Sequence, residues 1–457
     1  MTERTEKDML GTKSIPPDVY YGIHSARAAE NFKLSGRGVE QSLISALAMV
    51  KKACAMTNAE LEFITPEIAA AIEQACDEAA EGELDSCFIT DALQGGAGTS
   101  LNMNINEVLA NRALEILGKA KGDYTTIDPL EQVNLHQSTN DVVPTALKIA
   151  VIFLLRELSG ELAKLQEAFQ EKEKEFAGIV KIGRTELQDA VPITLGAEFA
   201  AFAEAFARDR WRTFKAEERS RIVNLGGTAV GTGLTAPRSY IFMVIDKLRE
   251  ITSLGLARGE NCMDQTANAD SLVEVSAIMK SCAVNFMKIC RDLRQLHYIG
   301  EITLPPVQAG SSIMPGKVNP VITESLIQGA MKVCSYDHLV EQCAAMGTLQ
   351  INEFTPLMAD SLLRGLEMLI KMAGSLLKHV EKISANPEHC RELFDHNEQI
   401  ITAFLPYIGY AKALELLKEY RGLKEKTSFR SFLTEKLGKD NVERVLSPGN
   451  LTSLGYR

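Results

Sequence analysis

Three segments of the chain place apolar side chains at alternating steps of three and four residues. The first runs Leu147, Val151, Leu154, Leu158, Leu162, Leu165 and Phe169. The second runs Leu272, Val275, Met279, Cys282, Phe286, Ile289, Leu293 and Leu296, and the third Leu362, Leu366, Leu369, Ala373, Leu376, Val380 and Ile383. That spacing draws one continuous apolar seam along an α-helix. A helix from about Asp141 to Ala177 extends roughly 50 Å at 1.5 Å per residue, so its seam needs equally long neighbours. The other two seams and the Ala- and Phe-rich stretch near 195–215 supply them. Alternating strand patterns are scarce, so the fold expected is mainly α, an elongated three-domain chain around a central long-helix bundle. Seams of this length are often buried between subunits, so an oligomer is expected. Cys282 sits on a seam and reads as a small core hydrophobe rather than a reactive thiol.

The ends differ in character. Residues 1–137 mix loops with short helices, where Thr65-Pro66-Glu67 marks a helix start with Thr as cap and Pro first inside. Residues 138–386 hold the seams, and 387–457 are more charged and shorter in period. These three spans are read as an N-terminal mixed and helical domain, a central helical bundle and a small C-terminal helical domain.

Charge excludes several classes of function. With 49 basic against 60 acidic residues in 457, the net charge is −11, which argues against a duplex-binding face or a polybasic membrane patch. A few focused cations in one cleft can still hold an anion. Uninterrupted apolar runs such as Ile149–Leu155 are far shorter than the ~18 residues of a membrane span. The start, Met1-Thr2-Glu3-Arg4-Thr5-Glu6-Lys7, lacks the apolar core of a signal peptide. Nine cysteines form no Cys-x-x-Cys pair and read as reduced thiols of a cytoplasmic protein. The seven histidines show no metal spacing, so no metal ligands are assigned.

Four polar stretches interrupt the helical pattern: Gly95–Asn104, Gln137–Asp141, Gly183–Asp189 and Gly310–Pro320. All are rich in hydroxyls and amides, and each is expected just ahead of a helix, where free N–H groups and the dipole favour an anion. Taken singly, such residues are usually N-caps. The fourth tempts a nucleotide reading through Gly316-Lys317, but Val318 stands where a P-loop needs Ser or Thr. Taken together, hydroxyls, amides and one lysine suit a small dicarboxylate without any metal. A serine on a glycine loop near a lysine can act as nucleophile or base if its alkoxide is stabilised.

The fourth stretch, Gly310-Ser-Ser-Ile-Met-Pro-Gly-Lys-Val-Asn-Pro320, resembles the loop motif of the aspartase/fumarase superfamily, Gly-Ser-Ser-x-x-Pro-x-Lys-x-Asn-Pro, in full. The other three stretches resemble that family's further active-site regions in order and spacing, so the resemblance covers essentially the whole chain. Tyr20–Arg27 through Asn31-Phe32, Gly98–Ser100 through Asn106–Asn111, and Gln137–Asp141 lean toward its aspartate ammonia-lyases. Fumarases usually have Ser where Thr139 stands.

The resemblance implies a homotetramer with a twenty-helix core and active sites each built from three chains. It implies reversible anti elimination of ammonia from L-aspartate to give fumarate, through an enediolate-like intermediate. Ser311 would be the general base and Lys317 its catalytic companion. Thr99, Ser138, Thr139 and Ser312 correspond to groups around the β-carboxylate. Thr185, Lys317 and Asn319 correspond to the α-carboxylate site, Asn140 would face the amino group, and Glu324 would support. No cofactor is implied, although activation by a divalent cation is not readable from sequence.

Two departures from the family pattern stand out. Glu186 occupies a position where many members have His and some aspartases Gln. Near the leaving group, a carboxylate attracts an ammonium but gives no proton to a departing hydroxyl. It equally fits a different amine-bearing succinate, a weakened enzyme, or a solvated side chain paired with Arg184. The family usually carries a Ser-Gly-Pro-Arg-like turn before the Leu-Pro leading into the loop, and here the segment Leu296–Pro305 is several residues shorter. Fumarate hydratase, a lyase for another amine and a catalytically silent scaffold protein are the rival readings.

Overall fold

In the computed structural model, residues 4–425 and 427–455 are described; Met1–Glu3 of the polar amino terminus lie outside them. The chain is mainly helical. Five long helices dominate: Thr139–Glu175, Leu195–Ser220, Asp270–Ile299, Val321–Ala345 and Thr355–Val380. Every residue of the three seams is buried, none above 8% exposed, as the spacing requires. Ile383 lies past the end of its helix yet is only 1% exposed. The Val321–Ala345 helix carries Glu, Gln, Lys and Asp between its apolar residues and was not visible as a seam.

Because the seams are filled from within one chain, they do not themselves demand a second copy. The expectation of short amino-terminal helices also fails in part: Gln41–Glu60 has 20 residues and Thr99–Ile116 has 18. These helices are Ala-, Ser- and Asn-rich, and packing rather than a wide Leu stripe holds them. Thr65 does cap its helix, accepting the Ile68 N–H, with Pro66 at the first position.

The Cα framework divides into two compact units, with boundaries inside the five long helices. The first comprises Met1–Leu158, Arg212–Ser281 and Lys332–Leu369; the second comprises Ser159–Trp211, Cys282–Met331 and Ile370–Arg457. Within the second, Phe169 stacks on Phe206 at 5.6 Å between centroids, and Phe206 meets Phe286 edge-on at 5.0 Å. Aromatic rings thus join three of the helices there.

Strands are few and come only in pairs. Val180–Thr185 and Gln188–Thr194 form an antiparallel hairpin, and Ile302–Thr303 pairs with Ser384–Ala385. One segment, Glu398–Gly422, has the length and apolar composition of a membrane span, which a count of uninterrupted apolar runs overlooked. It is a 3₁₀ turn, Glu398–Phe404, followed by a helix broken at Gly409 (φ 75°, ψ 162°). Its Ile400, Phe404, Leu416 and Tyr420 pack with Phe429 and Phe432 in the carboxy-terminal core.

Candidate active site

In the first unit, the residues Gly96, Ala97 and Gly98 all have positive φ (80°, 56° and 94°) and deliver the chain to the helix that begins at Thr99. Consecutive backbone N–H groups in such a turn form an anion-binding concavity at a helix N-terminus. Thr99 is exposed there, its hydroxyl donating to Gly96 O at 2.7 Å.

Ser138 is the N-cap of the Thr139–Glu175 helix in the ordinary sense. Its Oγ accepts from Asn140 N at 3.2 Å, and Asp141 Oδ1 accepts from Ser138 N at 2.9 Å, a reciprocal capping box. Asp141 is fully buried, and its other oxygen accepts from Gly226 N and Thr228 N. Burial pushes its carboxyl up to about 6 despite these donors. Pro144, inside the helix, has no N–H for the Asn140 carbonyl, and Asn224 Nδ2 takes that role at 2.9 Å. The Asn140 side chain donates to Ala229 O at 2.7 Å, which leaves its Oδ1 as the group available to an ammonium.

Beneath this turn lies a buried polar network that the sequence reading did not single out. Lys51, with no exposed surface, donates to Gln137 Oε1 at 2.8 Å and Asn134 Oδ1 at 3.0 Å. Asn102 and Asn106 donate to the same Asn134 oxygen at 3.2 Å each, and Asn102 Nδ2 also donates to Thr139 Oγ1 at 3.2 Å. Burial lowers the Lys51 ammonium to about 8. A lysine among Leu43, Leu47, Val50 and Cys54, all on the buried face of one helix, was the available signal.

Glu107, part of the Asn106–Asn111 stretch, has a local role. Its carboxylate accepts from Gly22 N, His24 N and Ser25 N and so caps the Ile23–Asn31 helix. A Cβ at position 22 would stand 2.8 Å from that carboxylate, so two of the family-like stretches match because they fit each other.

In the second unit, Gly183–Asp189 does not precede a helix. It is the hairpin itself, with Glu186 (φ 52°) and Leu187 (φ 61°) at the tip between paired Thr185 and Gln188. Two positive φ values in a two-residue loop suit the right-handed twist of the strands. Val180, Ile182 and Val191, read as strand positions, would have signalled it. Thr185 and Glu186 are both exposed. Glu186 is not the partner of Arg184, whose guanidinium meets Glu301 Oε1 at 2.7 Å and Asp189 at 3.2 Å. Glu186 lines a cleft of about 960 Å³ with Lys288, Arg291 and Tyr298.

Glu301 lies within that shortened segment. It follows Gly300 (φ 90°) directly after the Asp270–Ile299 helix, with no exposed surface, and its Oε2 lies 2.7 Å from the Lys181 ammonium. Its carbonyl accepts from Asn386 N at 2.9 Å. Lys181 and Arg184 belong to one strand of the hairpin, so this buried carboxylate ties the hairpin to the stem of the Gly310–Pro320 loop.

That loop is pinched at its neck. Gly310 N donates to Lys317 O at 2.7 Å, and Asn319 Nδ2 donates to Gly310 O at 2.8 Å. A Cβ at Gly310 would stand 2.8 Å from Asn319 N, so only glycine closes it. Ser311 Oγ accepts from Met314 N at 2.9 Å and Ile313 N at 3.2 Å. Two backbone donors on one hydroxyl oxygen favour its alkoxide. Ser312 and Lys317 are exposed. Glu324, in the first turn of the following helix, pairs with Arg294 at 3.0 Å. Among the described residues, no three His, Cys, Asp or Glu side chains converge as metal ligands.

The predicted residues thus fall into two groups. Thr99, Ser138, Thr139 and Asn140 belong to the first unit, and Thr185, Glu186, Ser311, Ser312, Lys317, Asn319 and Glu324 to the second.

A family profile described as Lyase matches residues 11–335. An aspartate ammonia-lyase of a Bacillus species is 41% identical over 99% of this chain and 98% of its own length. That of Bacillus subtilis (strain 168) is 40% identical over 99% and 96%. Among solved structures, the cobalt-bound fumarate lyase:delta crystallin from Brucella melitensis superposes with a TM-score of 0.94 at 42% identity, covering 99% of this chain and 100% of that one. A class II fumarase from Schistosoma mansoni gives 0.91 at 29% identity, covering 98% of each. The chain belongs to the aspartase/fumarase superfamily of lyases.

Proposed function

We propose that the protein is an aspartate ammonia-lyase, a carbon–nitrogen lyase that reversibly eliminates ammonia from L-aspartate to give fumarate. The observation that carries this reading is near-full-length identity of about 41% to aspartate ammonia-lyases joined to an intact Gly310–Pro320 loop. Ser311 takes a proton from Cβ, the electron pair becomes the Cα–Cβ double bond, and the C–N bond breaks on the opposite face. That proton is weakly acidic, so the β-carboxylate must be stabilised as charge builds on it. Hydroxyls of Thr99, Ser138 and Thr139 and the region of Ser312 serve there. Thr185, Lys317 and Asn319 hold the α-carboxylate, and Asn140 Oδ1 and Glu186 attract the amino group. The carboxylate at 186 favours an amine over a hydroxyl leaving group.

Assembly as a homotetramer, each site shared by three chains, fits the apolar side chains that the long helices leave exposed. Val284, Met331 and Trp211 are 48%, 58% and 63% exposed. The mechanism as written requires no cofactor. A reducing, cytoplasmic setting suits nine cysteines that form no disulfide among the described residues. The test is ultraviolet detection of fumarate from purified protein given L-aspartate and L-malate in parallel. Fumarate from aspartate alone is expected; fumarate from malate alone transfers the assignment to a fumarate hydratase, which the likeness to the Schistosoma mansoni enzyme makes the second reading.

A further inference from the structure

The groups assigned to the β-carboxylate are neutral hydroxyls, and a hydroxyl can donate or accept. For the enediolate-like intermediate only donation helps. What fixes the direction is visible one layer below. Lys51 is an ammonium with three hydrogens and no lone pair, so both of its partners must present oxygen. Asn134 therefore turns Oδ1 toward it, and Gln137 turns Oε1, with Gln137 Nε2 spent on Val133 O at 2.9 Å. Any amide meeting the same Asn134 oxygen must then do so as a donor, and Asn102 and Asn106 both do. The second hydrogen of Asn102 Nδ2 falls on Thr139 Oγ1. With that oxygen already accepting, the Thr139 O–H is the donor left over.

The cost of this order is visible as well. Asn102 Oδ1 and Asn106 Oδ1 are buried without a hydrogen-bond partner, which amides free to turn would avoid. Lys51, Asn102, Asn106, Gln137 and Thr139 are each less than 10% exposed, and Asn134, which they share, is partly buried, so water has little access to compete for the directions. Asp141 is the charged neighbour on the far side of the turn, and its oxygens are taken by the N–H groups of Ser138, Gly226 and Thr228.

We propose that Lys51 is a positioning residue of this site: its donor-only head orders Gln137, Asn134 and Asn102 so that Thr139 donates to the substrate's β-carboxylate. The inference rests on the ammonia-lyase reading for the identity of that carboxylate.

The test is a double-substitution cycle on the full-length protein, with melting curves and gel filtration on every variant. Lys51→Met keeps the length of the side chain and removes the donor; kcat for L-aspartate should fall about 100-fold, the low end of what loss of one transition-state donor costs. Thr139→Val should fall by a similar factor, and Lys51→Met with Thr139→Val should be no slower than Thr139→Val by more than about twofold, because both act through one bond. Penalties that multiply, or a folded Lys51→Met protein with unchanged kcat, overturn the proposal. If Lys51→Met does not fold, Asn102→Ala interrupts the relay with the cation in place and is judged by the same cycle. If the unsubstituted chain makes no fumarate from aspartate, the activity reading fails separately. Fumarate affinity by calorimetry then decides the relay: about tenfold weaker binding in Asn102→Ala supports it, and unchanged binding rejects it.

Discussion

Ser138 and Ser311 each accept backbone N–H groups within their own turn, yet their surroundings differ. Ser138 caps a 37-residue helix, with Asp141 locking the turn from inside and four buried polar side chains, joined through the partly buried Asn134, supporting its neighbour Thr139. Ser311 stands in a loop where positions 312–318 are all exposed, and only the neck at Gly310, Lys317 and Asn319 is fixed. One region is held by buried polar contacts; the other stands largely open to solvent. The buried region is suited to holding a carboxylate in one orientation.

Ser311→Ala should sharpen that contrast most. Loss of a general base costs about 10²–10⁴ in rate, so fumarate release should collapse while the melting temperature stays within about a degree, since Ser311 supports nothing but its own loop. Undiminished turnover would remove Ser311 from the mechanism. Glu301→Ala tests whether the open region depends on a buried anchor. It leaves Lys181 and Arg184 with only Glu198 and Asp189, and should destabilise the protein by about 3 kcal/mol, read by denaturant unfolding. A loss near zero would mean the hairpin is held without that carboxylate.

The buried region makes a prediction about pH. Asp141 has a folded-state pKa raised from 3.8 to about 6 by burial. The folded chain therefore holds its proton more tightly than the unfolded chain does. Its contribution to stability is greatest below pH ~4 and is lost as pH rises to ~6, by about 3 kcal/mol at most. Asp141→Asn should remove that part of the slope between those limits in pH-dependent unfolding; an unchanged slope would place the ionisation elsewhere. The smallest effect belongs to neither region. Thr65→Ala removes a helix cap and should cost about 1 kcal/mol, with kcat untouched.

Much of this was legible in the sequence. The seam residues are buried at the positions their three-and-four spacing assigned, because a helix repeats every 3.6 residues and burial follows the stripe. Thr65-Pro66 announced a helix start because capping chemistry is local. The fourth stretch could be recognised because its glycines answer to the chain's own neck geometry.

Other features depended on partners far away in the chain. Gly183–Asp189 has the composition of a cap, and only pairing of Val180–Thr185 with Gln188–Thr194 makes it a hairpin. Glu301 reads as one more charged loop residue until Lys181 and Arg184, more than a hundred positions earlier, close on it. The seams suggested an interface between subunits, but the chain's own helices fill them. Lys51 adjoins Lys52 in sequence, yet Asn134 and Gln137 hold it buried. Local periodicity and capping act over a turn or two and are written in adjacent residues. Which polar side chains share a buried pocket is decided by contacts across 80 to 120 residues, and those only the folded structure brings together.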